Sequence, residues 1–203
     1  MKVLIGCEES GVVRDAFRKL GHDAWSCDLL PSDDMTYHLQ CDVMLSIKSG
    51  EWDLIILHPP CTHLSLSGNR WYGRGTEGYG KRVEAVKWTA NLWKLAKANA
   101  PRVALENPTS VIFPILKREC EVQYIQPHQF GHKEVKKTGF ALHNLPPLVP
   151  TDELVVPAPG SDAMKEWERV WRMGPSEDRQ RLRSRTYEGV GKAMAEQWSI
   201  LDE

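Results

Sequence analysis

Residues 2–28 read KVLIGCEESGVVRDAFRKLGHDAWSCD and contain the pattern that decides the fold of this chain. The apolar run Val3–Ile5 predicts a short buried strand, and Val13, Phe17 and Leu20 then recur at the spacing of a helix. A glycine follows this helix, and a second apolar run begins shortly after it. The stretch therefore predicts a strand, a turn, a helix and a second strand, which is how a parallel α/β sheet begins.

The same alternation continues along the chain. The further predicted strands are Ala24–Cys27, Leu54–Leu57, Arg102–Leu105, Glu121–Ile125 and Thr138–Leu142. A long helix is predicted before Pro101, a turn at residues 106–108, and one amphipathic helix around Met164, Trp167 and Trp171. Units of this length favour an α/β fold with a mostly parallel, doubly wound sheet, whose ligands bind beyond the carboxyl ends of its strands.

The composition excludes several other classes of protein. The 203 residues are 41% hydrophobic and 26% charged, which is typical of a globular chain and not of a disordered or collagen-like one. The formal net charge is only -1, so any nucleic-acid site must be local. Five cysteines without a C-x-x-C pair argue against a disulfide framework. Without a signal-peptide pattern or a run of about 18 apolar residues, we expect a cytoplasmic protein that does not bind membranes.

A candidate nucleophile, Cys61, follows the predicted strand Leu54–Leu57. The chain continues there as HPPC, residues 58–61, and the two prolines restrict the backbone that carries the thiol. A thiolate held in this way, with a lowered pKa, is able to act in nucleophilic catalysis, and the alternative is a buried structural cysteine. His58 and His63 flank the thiol, and the sequence leaves open whether they tune it or simply pack.

A carboxylate is predicted at the end of a neighbouring strand. Glu106 directly follows the apolar run of that strand and begins the sequence ENP, residues 106–108. A carboxyl group that faces Cys61 is able to hold a proton for a pyrimidine ring nitrogen, which activates the ring before a thiolate adds to it. Taken alone, Glu106 is better explained as a helix-cap partner or a solvated side chain.

Together the two motifs resemble those of the cytosine-C5 DNA methyltransferase family. The sequence PPC at 59–61 is similar to the family's Pro-Cys nucleophile motif, and ENP at 106–108 is similar to its Glu-Asn-Val motif. Residues 185–193 are similar to the last family motif, whose helix packs beside the cofactor. The resemblance covers nearly the whole chain and implies a single Rossmann-like class I methyltransferase domain over residues 1–203.

The resemblance implies S-adenosylmethionine as the cofactor. Asp28 is similar to the acidic residue that holds the ribose hydroxyls, and Asp42 to the aspartate that receives the adenine, although a loop acid is the alternative for Asp42. The turn after the first strand lacks the family's usual Phe-x-Gly-x-Gly sequence. The implied cofactor-binding residues are Glu8, Ser10, Gly11, Asp28, Asp42 and Pro59.

The family mechanism carries over to two residues of this chain. Cys61 adds to C6 of cytosine while Glu106 contacts the protonated N3; C5 then takes the methyl group, and loss of the C5 proton releases Cys61. The resemblance implies no metal. Because a stacked base cannot reach a buried thiol, the target nucleotide is expected to be flipped out of the duplex or already single-stranded.

A glycine-rich segment, Ser65–Arg82, is predicted to be a mobile loop that closes over the target base. Its basic side chains, including Lys81 and Arg82, would reach phosphates while Trp71 or Tyr72 fills the vacated stack. The alternative is a merely flexible surface loop. The residues implied to contact the base or DNA are Pro60, Ser65, Arg70, Trp71, Arg74, Asn107 and Lys136.

The chain departs from the family in the region that usually holds a separate target-recognition domain. Only a proline-rich connection and one helix occupy it here, so we expect a monomer whose sequence specificity is short, weak or borrowed from a partner protein. Lys136 stands where the family has a Gln-x-Arg-x-Arg motif, and lysine does not replace arginine at a bidentate site.

Three functions remain open at this point. The favoured one is methylation of cytosine in DNA with low sequence specificity. The second keeps the nucleophile but modifies a free deoxycytidine nucleotide, or transfers a group other than methyl. The third is a non-catalytic protein that binds DNA or a partner, and the presence of both Cys61 and Glu106 argues against it because a binder needs neither.

Overall fold

The computed structural model of the protein describes residues 1–174, 176 and 182–200. Seven strands within these residues form one sheet: β1 Lys2–Gly6, β2 Asp23–Asp28, β3 His38–Gln40, β4 Leu54–Leu57, β5 Arg102–Pro108, β6 Glu121–Ile125 and β7 Thr138–His143. Their spatial order is β3-β2-β1-β4-β5-β7-β6. The first five are mutually parallel, and β7 runs antiparallel to both β5 and β6. This arrangement confirms the predicted mostly parallel α/β fold.

Helices cover both faces of the sheet. They are α1 Val12–Lys19, α2 Val43–Lys48, α3 Asn69–Tyr72, α4 Tyr79–Asn99, α5 Phe113–Leu116, α6 Asp162–Trp167, α7 Arg169–Arg172 and α8 Glu188–Trp198. Buried residues of α1 and α8 pack on one face, and those of α2, α4 and α5 pack on the other. Two apolar layers therefore sandwich the strands, which explains why the central strands are continuous apolar runs.

Three details differ from the expectations drawn from sequence. Residues 106–108, predicted as a turn, continue β5 and pair with β7. The predicted single helix around Met164 and Trp167 is interrupted at Glu168 and divides into α6 and α7. The strand β3 and the helix α2 were not predicted, since three residues of strand and six of helix give too short a pattern.

No helix in the described part of the chain is both long enough and apolar enough to cross a membrane.

A buried arginine fixes the start of α1 against β2. Arg14 is 1% exposed, and its guanidinium donates to the Ser26 hydroxyl at 3.1 Å and to the Asp34 carbonyl at 3.0 Å. The Ser26 hydroxyl also lies 2.8 Å from Nδ1 of His38 on β3. A buried charge is stable only with such hydrogen bonds, so this network holds α1, β2, β3 and the chain between the two strands in one arrangement.

Gly11 allows α1 to begin close to this arginine. Its φ is +68°, a left-handed conformation, and a Cβ atom there would lie 2.4 Å from Nη2 of Arg14. Gly75 is also left-handed, with φ +88°, but a Cβ at that position meets nothing within 4 Å. The two glycines therefore share the backbone strain and differ in the steric contact.

Gly11→Ala is expected to destabilise the protein more than Gly75→Ala. Each substitution costs about 1–3 kcal/mol of unfolding free energy for the left-handed backbone. Gly11→Ala adds the displacement of a guanidinium that buried hydrogen bonds hold in place. Urea unfolding of both variants measures the difference in unfolding free energy. Equal losses of stability would show that the Arg14 side chain moves aside without destabilising the protein.

Candidate active site

The carboxyl ends of β4 and β5 bring a histidine and a glutamate together. These strands are parallel neighbours, and Leu57 pairs with Leu105 in their register. The next residues, His58 and Glu106, therefore lie side by side on the same face of the sheet. Nδ1 of His58 is 3.2 Å from Oε2 of Glu106, close enough for a hydrogen bond. The strand pairing itself produces this contact.

Asn107 holds the proline turn that precedes Cys61. Its side chain is fully buried, and its Nδ2 donates to the Pro59 carbonyl at 2.9 Å. Among the described residues, its buried Oδ1 accepts no hydrogen bond. The amide thus joins the end of β5 to the turn after β4. Pro59 itself is buried and Pro60 is exposed beside it.

Cys61 stands half-buried immediately after this turn. Its carbonyl accepts hydrogen bonds from the backbone of Leu64 at 3.1 Å and of Ser65 at 2.8 Å, so the following residues turn back over it. Burial raises the pKa of the thiol, the negative charge of Glu106 raises it further, and the opposing charges of Lys136 and Arg183 do not offset this. The expectation of a lowered pKa is wrong for the resting protein, in which the thiol is protonated at neutral pH.

Glu106 has the opposite electrostatic balance. Burial raises its pKa, but the hydrogen bond from His58 and the charges of Lys136 and His58 outweigh burial, so the pKa lies below its usual range. Its side chain is 17% exposed. The carboxylate is therefore ionised at neutral pH, and the hypothesis that Glu106 itself stores a proton is wrong for the resting protein.

Lys136 lines the same cavity as Glu106, and its charge lowers the pKa of that carboxyl group. Its Nζ donates to the Arg183 carbonyl at 2.6 Å and lies 5.8 Å from the ring centre of Tyr187. Lys136 and Tyr187 border a small cavity of about 20 Å³ that Glu106 also lines. Thr138, at the start of β7, is part of the same wall. The lysine therefore contributes a single positive charge to the environment of Glu106.

The segment after Cys61 contains short helical turns, followed by α3 and the start of α4. Arg82, on α4, is buried and donates to the carbonyls of His63 at 2.8 Å and Ser65 at 2.9 Å. It also donates to the Asn69 side chain. The interpretation of Arg82 as a phosphate ligand is therefore wrong, because all these bonds hold the segment itself.

Other basic and aromatic side chains of this segment face outward. Arg70 and Arg74 are exposed, and the Trp71 side chain is 60% exposed. The Arg70 guanidinium lies 5.7 Å from the Trp71 ring centre. Exposure of a large aromatic side chain beside two arginines is typical of a nucleic-acid-binding surface.

A groove opens between the proline turn and α4. It has a volume of about 330 Å³ and is lined by Pro60, His63, Lys81 and Trp88, among others. His63 packs edge-on against Tyr72, with ring centres 4.6 Å apart. The groove therefore has an aromatic wall and a cation, and its lining residue Pro60 directly precedes Cys61.

The residues assigned to the cofactor all lie at the carboxyl edge of the sheet, along the ends of β1 to β4. Asp28 ends β2 and accepts from the backbone of Leu30 at 2.9 Å. Asp42 follows β3 and caps α2 by accepting from Met44 at 2.7 Å. Burial is the main reason that the pKa of Cys7, which follows β1, is raised. The charges of both carboxylates raise it further, so both act on the end of β1.

Glu8 and Ser10 support the beginning of α1. Glu8 is 4% exposed, and its carboxylate accepts from the backbone of Val13 at 2.8 Å and of Arg14 at 3.4 Å. Burial raises the pKa of Glu8 against these hydrogen bonds and the charge of His58. Ser10 donates to the same carboxylate at 3.3 Å. Gly11, at the N-cap position of α1, has no side chain to cap the helix, and the Glu8 carboxylate takes that role. The contact of Glu8 with a cofactor stays a prediction.

Sequence reasoning missed the structural roles of Arg14, His38 and Arg82, and did not connect His58 with Glu106. A signal existed for Arg14, since a charged residue stands beside the apolar stripe of α1. A signal also existed for His58, because it follows Leu57 as Glu106 follows Leu105. No comparable local pattern marks His38 or Arg82.

Comparisons with known proteins give matches in structure alone. No protein-family model matches the sequence, and no curated protein matches it. Among solved structures, a prophage-encoded protein from E. coli, assigned as a DNA modification methyltransferase, is 14% identical with a TM-score of 0.49. The alignment covers 77% of this chain and 52% of that one.

A second solved structure, the Entamoeba histolytica methyltransferase EhMeth, is 13% identical with a TM-score of 0.50. The alignment covers 76% of this chain and 57% of that chain. The protein therefore spans little more than half the length of both structures. At this identity the likeness is one of fold, a Rossmann-like α/β sheet.

Glu106→Gln is expected to increase the rate at which iodoacetamide alkylates Cys61 at pH 8. The substitution removes a negative charge that raises the pKa of the thiol, so more thiolate is present. We expect an increase of several-fold, measured by peptide mass spectrometry. Alkylation of Cys120 provides the internal control, and an unchanged Cys61 rate would show that the two groups are not coupled.

Proposed function

We propose that the protein methylates C5 of cytosine in DNA through a covalent bond between Cys61 and C6. The observation that carries this proposal is the pairing of β4 with β5, which brings the turn that holds Cys61 beside the strand end that holds the ionised Glu106 carboxylate. A thiol and a carboxylate are the two groups that addition to a pyrimidine requires, one to attack carbon and one to act at the ring nitrogen.

The residues act in a defined order. The Cys61 sulfur loses its proton to water and forms a bond to C6, while the ring electrons move toward N3. Glu106 is the group that meets N3 and holds the proton there. Once C5 carries the methyl group, its proton passes to water and the C6–S bond breaks, which restores both the aromatic ring and the thiolate. Asn107 keeps the thiol at a fixed height by holding the Pro59 carbonyl.

The carboxyl edge of the sheet fits S-adenosylmethionine by the chemistry of its donor set. Asp28 and Asp42 provide carboxylate oxygens at the ends of β2 and β3, which suit ribose hydroxyls and an adenine amino group. Glu8, Ser10 and Gly11 shape the turn beside them. When bound at this edge, S-adenosylmethionine supplies an electrophilic methyl group.

DNA is proposed as the substrate because of the surface beside the nucleophile. The segment that Arg82 anchors exposes Arg70, Trp71 and Arg74. The groove at Pro60 is also lined by a residue of this segment, Lys81. A free nucleotide needs no such extended surface. EhMeth, whose name describes a methyltransferase, shares the fold, which agrees with the proposal.

The first experiment incubates the protein with labelled S-adenosylmethionine and duplex DNA, single-stranded DNA or free dCMP. Nucleoside mass spectrometry is expected to find 5-methylcytosine in polymeric DNA. Cys61→Ser is expected to reduce transfer to the level without enzyme, whereas Cys120→Ser retains it because that thiol donates to Leu116 away from the strand ends. Transfer that survives Cys61→Ser contradicts the covalent mechanism, and label only in dCMP contradicts the choice of DNA.

A second experiment tests the DNA surface. The double variant Arg70→Ala/Arg74→Ala is expected to weaken DNA binding and to reduce the slope of log K against log salt by about 2, one for each lost phosphate contact. The control is Lys19→Ala/Lys48→Ala, which removes two exposed lysines at the far ends of α1 and α2. Fluorescence anisotropy at several salt concentrations measures both, and equal slopes would remove this surface from the proposal.

A further inference from the structure

His58 contacts the ionised Glu106 carboxylate directly at the strand ends. The His58 side chain is 8% exposed, and its Nδ1 lies 3.2 Å from Oε2 of Glu106. Among the described residues its buried Nε2 has no hydrogen-bond partner. The contact is therefore largely shielded from water. No second hydrogen bond from the described residues holds the ring.

Charged groups from several elements surround this contact. Glu106 lies against the imidazole from β5, and the buried Glu8, on the turn between β1 and α1, interacts electrostatically with His58. Lys136 and Cys61 interact electrostatically with Glu106. The imidazole lies within hydrogen-bond distance of Glu106, so it is placed to pass a proton to that carboxyl group.

The proposed addition of Cys61 to cytosine requires a proton at N3, which Glu106 alone does not supply. N3 must gain a proton while the C6–S bond forms, yet the resting carboxylate is ionised. A carboxylate without a proton repels the electron density that develops at N3. The proton must therefore come through a neighbour of Glu106.

We propose that His58 shares one proton with Glu106 and supplies it, through the carboxyl group, to N3 of the cytosine. This inference rests on the proposed function. As the sulfur bonds to C6, the proton passes from Nδ1 to Oε2 and from the carboxyl group to N3, which leaves a neutral imidazole. When the C6–S bond breaks, N3 returns the proton to the pair. Since His58 acts through Glu106, it is a positioning residue and a proton reserve.

The variant His58→Asn separates the two roles. An asparagine amide stands close to the position of Nδ1 and still donates to Glu106, but it does not titrate. The control is His143→Asn, which changes a histidine that pairs with Val103 at the opposite edge of the sheet.

The first readout needs no activity. Carbon NMR of the glutamate carboxyl groups, with Glu106 assigned through Glu106→Gln, follows the Glu106 signal from pH 4 to 9. In the wild-type protein the Glu106 signal is expected to shift within this range as the shared proton is lost, and His58→Asn is expected to lose that shift while His143→Asn keeps it. A Glu106 signal that is indifferent to His58 overturns the shared proton, whether or not the protein transfers methyl groups.

The second readout is the pH profile of transfer to DNA at saturating substrates. The wild-type profile is expected to rise with pH as the Cys61 thiol ionises and to have a falling limb where the proton that His58 and Glu106 share is lost. His58→Asn is expected to lose this falling limb and to turn over roughly 100-fold more slowly. An unchanged profile overturns delivery of the proton. A coupled NMR titration without any transfer by the wild-type protein overturns the proposed reaction and leaves the shared proton standing.

Discussion

The parallel pairing of β4 with β5 is the constraint on which the candidate site depends. Both strands are buried on their two faces, so their register is fixed by apolar packing over their whole length. That register places His58 beside Glu106, and the Asn107 amide then holds the Pro59 carbonyl. A slip of one residue would turn Glu106 to the opposite face, so the packing of the core and the chemistry of its edge are inseparable.

Buried charges hold the irregular segments around this edge. Glu8 caps α1, Arg14 joins α1 to β2 and the connection that follows it, and Arg82 collects the carbonyls of the segment after Cys61. Each of these side chains makes several hydrogen bonds, which is the condition under which a charge is buried without a large penalty. The loops around the candidate site are thus held by buried charged side chains, while their outward-facing side chains stay exposed.

The sequence predicted what apolar periodicity encodes and missed what long-range contacts decide. The strands of the sheet follow from their apolar runs, and only the three-residue β3 was too short to detect. Glu106 was expected in a turn because a polar residue and a proline follow an apolar run, yet antiparallel pairing with Phe140 keeps it in β5. The thiol pKa was misjudged because its sign depends on burial and on Glu106, which is 45 positions away in the chain.

In the proposed reaction, the electrostatics of the resting site make ionisation of the Cys61 thiol depend on the bound base. The negative charge of Glu106 raises the pKa of the thiol, and in the resting protein the carboxylate, not the thiol, is ionised. A pyrimidine ring nitrogen that shared a proton with Glu106 would neutralise that carboxylate and remove one cause of the raised thiol pKa. The proposed nucleophile would thus ionise more easily once a pyrimidine is bound. The contact proposed to bind the base would also activate the sulfur, and a protonated thiol protects the resting protein from other electrophiles.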